Sequence, residues 1–155
     1  GLPYAFASHF ATNHLFEALQ IYRNEFQPSE YLQEPYVIGC VNVIAADTHE
    51  KAEQLATSLI RMFLSVLTGV SEYLQEPMEM TWELRELWKN PSVHQMLKYT
   101  FVGNKDTVKQ QTEEFLAKTG VNELMVVSNM YSHEDRVRSY QIFADIMHDI
   151  NQGRN

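Results

Sequence analysis

With 12 Lys and Arg against 20 Asp and Glu, the 155-residue chain carries a net charge of −8, a balance that opposes nucleic acid and anionic membrane surfaces as partners. Its 45% hydrophobic and 21% charged residues exclude a disordered, collagen-like or low-complexity chain and predict one folded domain over residues 1–155. The one cysteine, Cys40, excludes an internal disulfide and a cysteine-pair zinc site, and with neither a basic leader nor an apolar run near ~18 residues a soluble, cytoplasmic, metal-free protein is expected.

After Pro3, Tyr4–Phe10 (YAFASHF) reads as a buried strand. Thr12 or Asn13 is placed to cap a helix in which Leu15, Leu19, Tyr22 and Phe26 recur at intervals of three and four, ending near Gln27 ahead of Pro28. Tyr36–Ala46 is apolar at nearly every position and rich in β-branched residues, the pattern of a strand covered on both faces in a parallel sheet. Asp47 and Glu50 form a capping-box-like start to a second helix carrying Ala52, Leu55, Ala56, Leu59, Met62, Phe63 and Val66. Residues 68–100 then lose the pattern and predict an irregular insertion with short helices around Trp82–Trp88 and Pro91–Lys98. Asn104 caps a helix bearing Val108, Gln111, Phe115 and Leu116, which Gly120 stops. Glu123–Ser128 is a third strand, and His133–Ile150 a last helix with Val137, Tyr140, Phe143, Ala144 and Met147 inward.

Strands alternate with helices, so the class is α/β with parallel strands. Three strands with helices on one side leave the other apolar face wet, and self-association as a homodimer is the expected cover. The segment SEYLQEP occurs twice, at Ser29–Pro35 and Ser71–Pro77, but the flanks differ, so it is not a solenoid period.

No phosphate-cradling GxGxxG or GxxxxGK[ST] is present, nor GxSxG, HExxH or CxxC. Phe101-Val102-Gly103-Asn104 sets one glycine before a helix N-terminus that is either a capping turn or an anion site. His9 and His133 each fall just beyond a predicted strand, where parallel sheets hold ligands, so each serves either loop packing or an active site. Ser8 and Ser128–Tyr131 share that location, whereas Cys40, mid-strand among apolar neighbours, reads as an inert buried thiol. Met78, Met80, Trp82, Trp88 and Met96 of the insertion are either core or the lining of an apolar pocket.

Four stretches, taken in order, carry a resemblance: GLPYAFASHF (Gly1–Phe10), FQPSEYL (Phe26–Leu32), VNVIAADT (Val41–Thr48), and Phe101–Gly103 followed by Glu123–Ser128 and His133–Arg136. They resemble the C-terminal half of the bacterial luciferase-like, flavin-dependent monooxygenases (alkanal monooxygenase-like), over essentially the whole chain. The resemblance implies an incomplete (β/α)₈ TIM barrel, about its sixth to eighth strands with their helices, since a full barrel takes roughly 250 residues. The insertion then lies between the seventh strand and its closing helix.

For a longer parent protein the resemblance implies reduced FMN, dioxygen, an aldehyde or other small apolar substrate, and a flavin reductase as partner. Ala7 and Ser8 would lie near the flavin ring, His9 and Phe10 on the substrate side, and Ser128, Asn129 and Met130 in the cofactor region; no catalytic acid or base is assigned. The family's Ser-rich phosphate loop and first five strands lie upstream of the matched segment, so this chain alone is expected to bind FMN weakly or not at all and to be inactive. The alternative is a non-catalytic, truncated barrel domain that self-associates.

Overall fold

The computed structural model describes residues 1–70 and 72–153. Its centre is β2 (Val37–Ala45), buried at every residue but the half-buried Ile38, as a strand apolar on both faces must be. β1 (Tyr4–Phe6), β3 (Thr100–Gly103) and β4 (Glu123–Val127) all pair with it in parallel. Ile38 and Gly39 pair at once with Ala5 and Phe6 of β1 and with Glu123 and Leu124 of β4, so these strands lie on opposite edges of β2. Asn42 pairs with both Thr100 of β3 and Val127 of β4, which puts β3 on the β1 edge, further along. The four-stranded sheet is therefore open and three strands wide, with β1 and β3 sharing one edge.

Helices α1 (Leu15–Glu25), α5 (Lys105–Thr119) and α6 (His133–Gln152) cover the face bearing Val37, Val41, Val43 and Ala45. Gly39 belongs to this face: a Cβ there would sit 3.2 Å from both Phe115 and Val121, so the missing side chain lets Phe115 of α5 pack close to the strand. On the other face α2 (His49–Thr68), α3 (Trp82–Lys89) and α4 (Pro91–Met96) close over the C-terminal half of the sheet, packing Leu55, Leu59, Phe63, Val93 and Leu97 on Ile44, Ala46 and Val102. The N-terminal half of that face stays open, with Ala5 exposed, Ile38 half-buried and Met125 51% exposed.

Several local expectations change. The first strand stops at Phe6, and residues 8–10 turn, because Phe10 N and Ala11 N both donate to the Ala7 carbonyl. Thr12 and Asn13 do not cap α1; its N-cap is His14, left-handed at φ 65° and without a side-chain cap bond. The Asp47–Glu50 box is one residue out of phase, since Thr48 caps α2 by accepting from Lys51 N. Thr100–Gly103 is a fourth strand rather than a loop, missed because four residues carry too little alternation to announce themselves. In α6 the buried stripe is Ser139, Ile142, Phe143, Ile146 and Ile150, while Val137, Tyr140 and Ala144 are exposed. Asn104 and Gly120 cap α5 as expected, the latter at φ 59°.

The first SEYLQEP copy closes on itself: Ser29 N donates to the Leu32 carbonyl, and Gln33 Nε2 donates to the Ser29 carbonyl at 2.5 Å. Ser71, which opens the second copy, lies outside the described residues.

Candidate functional site

Parallel strands bring their C-terminal ends to one rim, and here that rim is held together through the edges of β2. β1 ends before β3 begins, so between them the Cys40 backbone has no strand partner on that edge. Ser8 takes the place of one: its hydroxyl accepts from Cys40 N at 3.2 Å and donates to the Cys40 carbonyl. One step along, the Asn42 side chain crosses the same gap, Nδ2 donating to the His9 carbonyl at 2.9 Å and to Thr100 Oγ1 at 3.4 Å.

The opposite edge repeats the device beyond the end of β4. Ser128 Oγ donates to the Val43 carbonyl at 2.6 Å and lies 3.2 Å from Ser139 Oγ, which accepts from Ala45 N at 3.0 Å. Tyr140 OH accepts from Ser128 N at 3.1 Å. Ser8 and Ser128 were selected from sequence as cofactor-side residues; both are fully or almost fully buried, with hydroxyls committed to β2. Such bonds matter because a buried backbone group left unpaired costs about 1–3 kcal/mol.

The remaining sequence candidates divide by exposure. Ala7 is exposed and Phe10 is 73% exposed on the turn, His9 and Asn129 are half-buried, and Met130 is buried among Ile44, Val102 and the α2 residues. His133 opens α6 at the surface, with Arg136 Nη2 3.0 Å from its Nδ1. Cys40 is 7% exposed, and burial pushes its thiol pKa up, which disfavours the thiolate a nucleophile needs. Asn42 and Ser139 were not singled out from sequence. For Asn42 a signal existed, the only polar side chain inside the apolar run VIGCVNVIA; Ser139 is one of many polar residues on an amphipathic helix.

Two polar atoms at the rim are buried without a hydrogen-bond partner, His9 Nδ1 and Asn42 Oδ1. Around the rim, Arg138 of α6 binds Asp47 just beyond β2 at 2.5 Å and holds its carboxyl below the usual carboxylate range. A separate cleft of about 380 Å³ lies between α2, α3 and α5, where Arg85 grips Glu53 through two bonds of 2.7 Å beside His49 and Trp88.

No protein-family model matches the chain. It is 37% identical over 153 residues to a luciferase-like monooxygenase of Escherichia coli strain K12, matching over 97% of this chain and 45% of that protein. It is a homologue of luciferase-like monooxygenases. It is also 42% identical over 146 residues to an uncharacterised protein of Bacillus subtilis, YvbT, across 94% of this chain and 44% of the relative.

The chain thus spans less than half the length of these two relatives. Among solved structures it resembles apo-MsnO8, at 26% identity and a TM-score of 0.80 over 96% of this chain and 45% of that one. The monooxygenase RslO1 of Streptomyces bottropensis shares the fold at 16% identity and a TM-score of 0.60, over 97% of this chain and 42% of its own. So does the FMN complex of the oxygenating constituent of 3,6-diketocamphane monooxygenase from Pseudomonas putida, at 15% identity and a TM-score of 0.51, over 90% and 38%. No helix among the described residues is long and apolar enough to cross a membrane.

Proposed function

We propose that this chain is the C-terminal part of a flavin-dependent monooxygenase barrel, with β1, β2 and β4 as about its sixth, seventh and eighth strands and residues 68–100 as the insertion before the closing helix. The parent protein would oxidise an aldehyde or another small apolar substrate with dioxygen, using reduced FMN from a separate reductase in the cytoplasm. One observation carries the reading: the parallel strands end on one rim in a chain that is 37% identical to a luciferase-like monooxygenase over nearly its whole length and resembles apo-MsnO8 at a TM-score of 0.80.

At that rim stand the residues that would meet the flavin ring. Ala7 offers a small side chain for the ring to approach, His9 and Phe10 would stand on the substrate side, and Asn129 on the cofactor side. Ser8, Ser128 and Met130 support the rim from behind, through β2 and the α2 core. None of these residues is Arg or Lys, so the flavin phosphate gains no charge-assisted grip from them. Reduced FMN supplies the activation of dioxygen when bound, and the protein orients the ring and substrate and excludes water.

The chain alone is accordingly expected to bind FMN in the high micromolar range or weaker and to be inactive. Flavin fluorescence titration tests this. Submicromolar affinity, or yellow protein that retains FMN through gel filtration, would overturn the weak-binding expectation.

The open half of the sheet supports a second reading, a non-catalytic domain that self-associates. Leu2 and Ile21 beside β1, and Met125, Val137 and Tyr140 beside β4, leave apolar side chains exposed along both edges, a pattern of interaction surfaces. A homodimer is the expected state, and sedimentation equilibrium showing a compact monomer at low micromolar concentration would overturn it.

A further inference from the structure

We propose that the segment Glu72–Pro77 of one copy docks in a cleft beside β3 of a second copy, with Tyr73 entering the cleft and Glu72 and Glu76 meeting the ammonium groups of Lys98 and Lys118; this rests on the self-association considered above and gives it a contact apart from the open sheet.

The stretch EYLQEP occurs twice, and the fold engages the two copies differently. At Glu30–Pro35 it belongs to the turn that Ser29 closes, with Ser29 N donating to the Leu32 carbonyl and Gln33 Nε2 to the Ser29 carbonyl. At Glu72–Pro77 there is no regular structure. Gln75 Nε2 donates to the Tyr73 carbonyl and Arg61 to the Glu76 carbonyl, bonds that leave the side chains of Glu72, Tyr73 and Glu76 unengaged among the described residues. Tyr73 is 94% exposed, against 75% for Tyr31, and Val70, Met78 and Trp82 nearby are exposed as well. Carboxylates and apolar side chains presented together suit a partner surface that is apolar and cationic.

The chain carries such a surface. Phe16 of α1, Tyr99 and Phe101 at β3 and Phe115 of α5 line a cleft of about 280 Å³, together with Lys98 and Lys118. Small-molecule sites run to roughly 300–1,000 Å³, so this cleft suits one side chain rather than a whole cofactor. A tyrosine ring entering it meets the exposed Phe16 and an aromatic floor, where rings pair edge-on or offset. Lys98 is exposed, lies 5.4 Å from the Tyr99 ring centroid and has no carboxylate partner among the described residues. Lys118 has only the exposed Glu114, at 3.5 Å. The cleft between α2, α3 and α5 offers less charge to a visitor: its Arg85 and His49 face Glu53, and its Lys89 is paired with Glu86. Segment and cleft are different surfaces, so two copies related by a two-fold axis make the contact twice, each giving its segment and receiving the other's.

The test has two arms. In the first, a capped EYLQEP peptide is titrated into the ¹⁵N-labelled Tyr73→Ala chain, whose own segment no longer competes, and followed by NMR. The peptide should shift the amide resonances of Lys98, Tyr99 and Phe115 saturably, and a peptide with alanine for tyrosine should shift none. A peptide with Gln for both Glu should bind about fivefold more weakly, the value of two exposed ion pairs. In the second arm, sedimentation equilibrium of the 155-residue chain, Tyr73→Ala should weaken self-association about tenfold, as loss of an aromatic anchor does, and Tyr31→Ala should leave it unchanged.

A peptide that shifts nothing at millimolar concentration, or only residues outside the cleft, overturns the contact. If Met125→Ser dissociates the chain and Tyr73→Ala does not, the contact falls and self-association through the open sheet stands. A chain that is monomeric at every concentration overturns both. Tyr73 is almost wholly exposed, so its replacement leaves the fold intact and both arms interpretable.

Discussion

The two faces of the central sheet are made from one strand and behave differently. Val37, Val41, Val43 and Ala45 look into a core closed by three helices, with Leu15, Leu19, Phe115, Phe143 and Ile146 against them. Ile38, alternating with them on the other side, is half-buried between the exposed Ala5 of β1 and Glu123 of β4; Cys40 beyond it is buried, and from Ile44 onward α2 closes that face. A strand apolar on both faces demands two covers, and this chain supplies one and a half. The uncovered half lies below the rim that carries His9 and Asn42, so the surface left for another body to complete and the candidate site share one face.

Substitutions can break this comparison. Ile146→Ala in the closed core, where the side chain is fully buried, should cost about 2–5 kcal/mol. Ile38→Ala on the half-open face should cost much less, and equal losses in chemical denaturation would mean that the open face is covered in solution. Ser139→Ala should cost about 1–3 kcal/mol by stranding Ala45 N–H, and Ser8→Ala a similar amount by stranding Cys40 N–H. If Ser8→Ala left stability unchanged, the hydroxyl would not be the strut that the geometry makes it.

Met125→Ser should change unfolding free energy by no more than about 0.5 kcal/mol, as surface substitutions do, while weakening self-association in sedimentation. A large loss of stability without any change in association would remove the open face from the interface.

The smallest effect is electrostatic. Hydrogen bonds from Arg138 to Asp47 and from Arg85 to Glu53 hold both carboxyl pKa values low. Their contribution is therefore present above the unfolded carboxylate pKa of about 4 and is lost as pH falls through the folded values. Both pairs bridge elements around the closed half of the sheet, α6 to the end of β2 and α3 to α2. Arg138→Gln should flatten the acid limb of the stability profile slightly, and high salt should mask the difference. A steepened acid limb would contradict the assignment.

Much of the fold was legible because its signals are local. The doubly apolar run at β2, the heptad-like spacing of α2, and the Asn104 and Gly120 caps of α5 follow from side-chain periodicity and backbone preference alone. Local signals also misled where two phases competed, as in α6, where Val137 and Tyr140 continue an apolar stripe that the sheet does not meet. The short strand β3 exists because β2 has a free edge beyond β1, a fact no window of four residues contains.

The sequence by itself determined the class, the order of parallel elements, the lack of a disulfide and the likeness to luciferase-like monooxygenases, since composition, periodicity and motif order are properties of the chain. It also drew attention to Ser8, His9 and Ser128 through their place at strand ends. Only the tertiary structure decided what those side chains do. Ser8 and Ser128 turn inward to satisfy β2, while Asn42, an unremarked polar residue in an apolar run, comes to hold His9 from 33 positions away. A hydroxyl or amide is drawn to whichever backbone group the strands leave unpaired, and that is settled by the register between strands rather than by any neighbour in sequence.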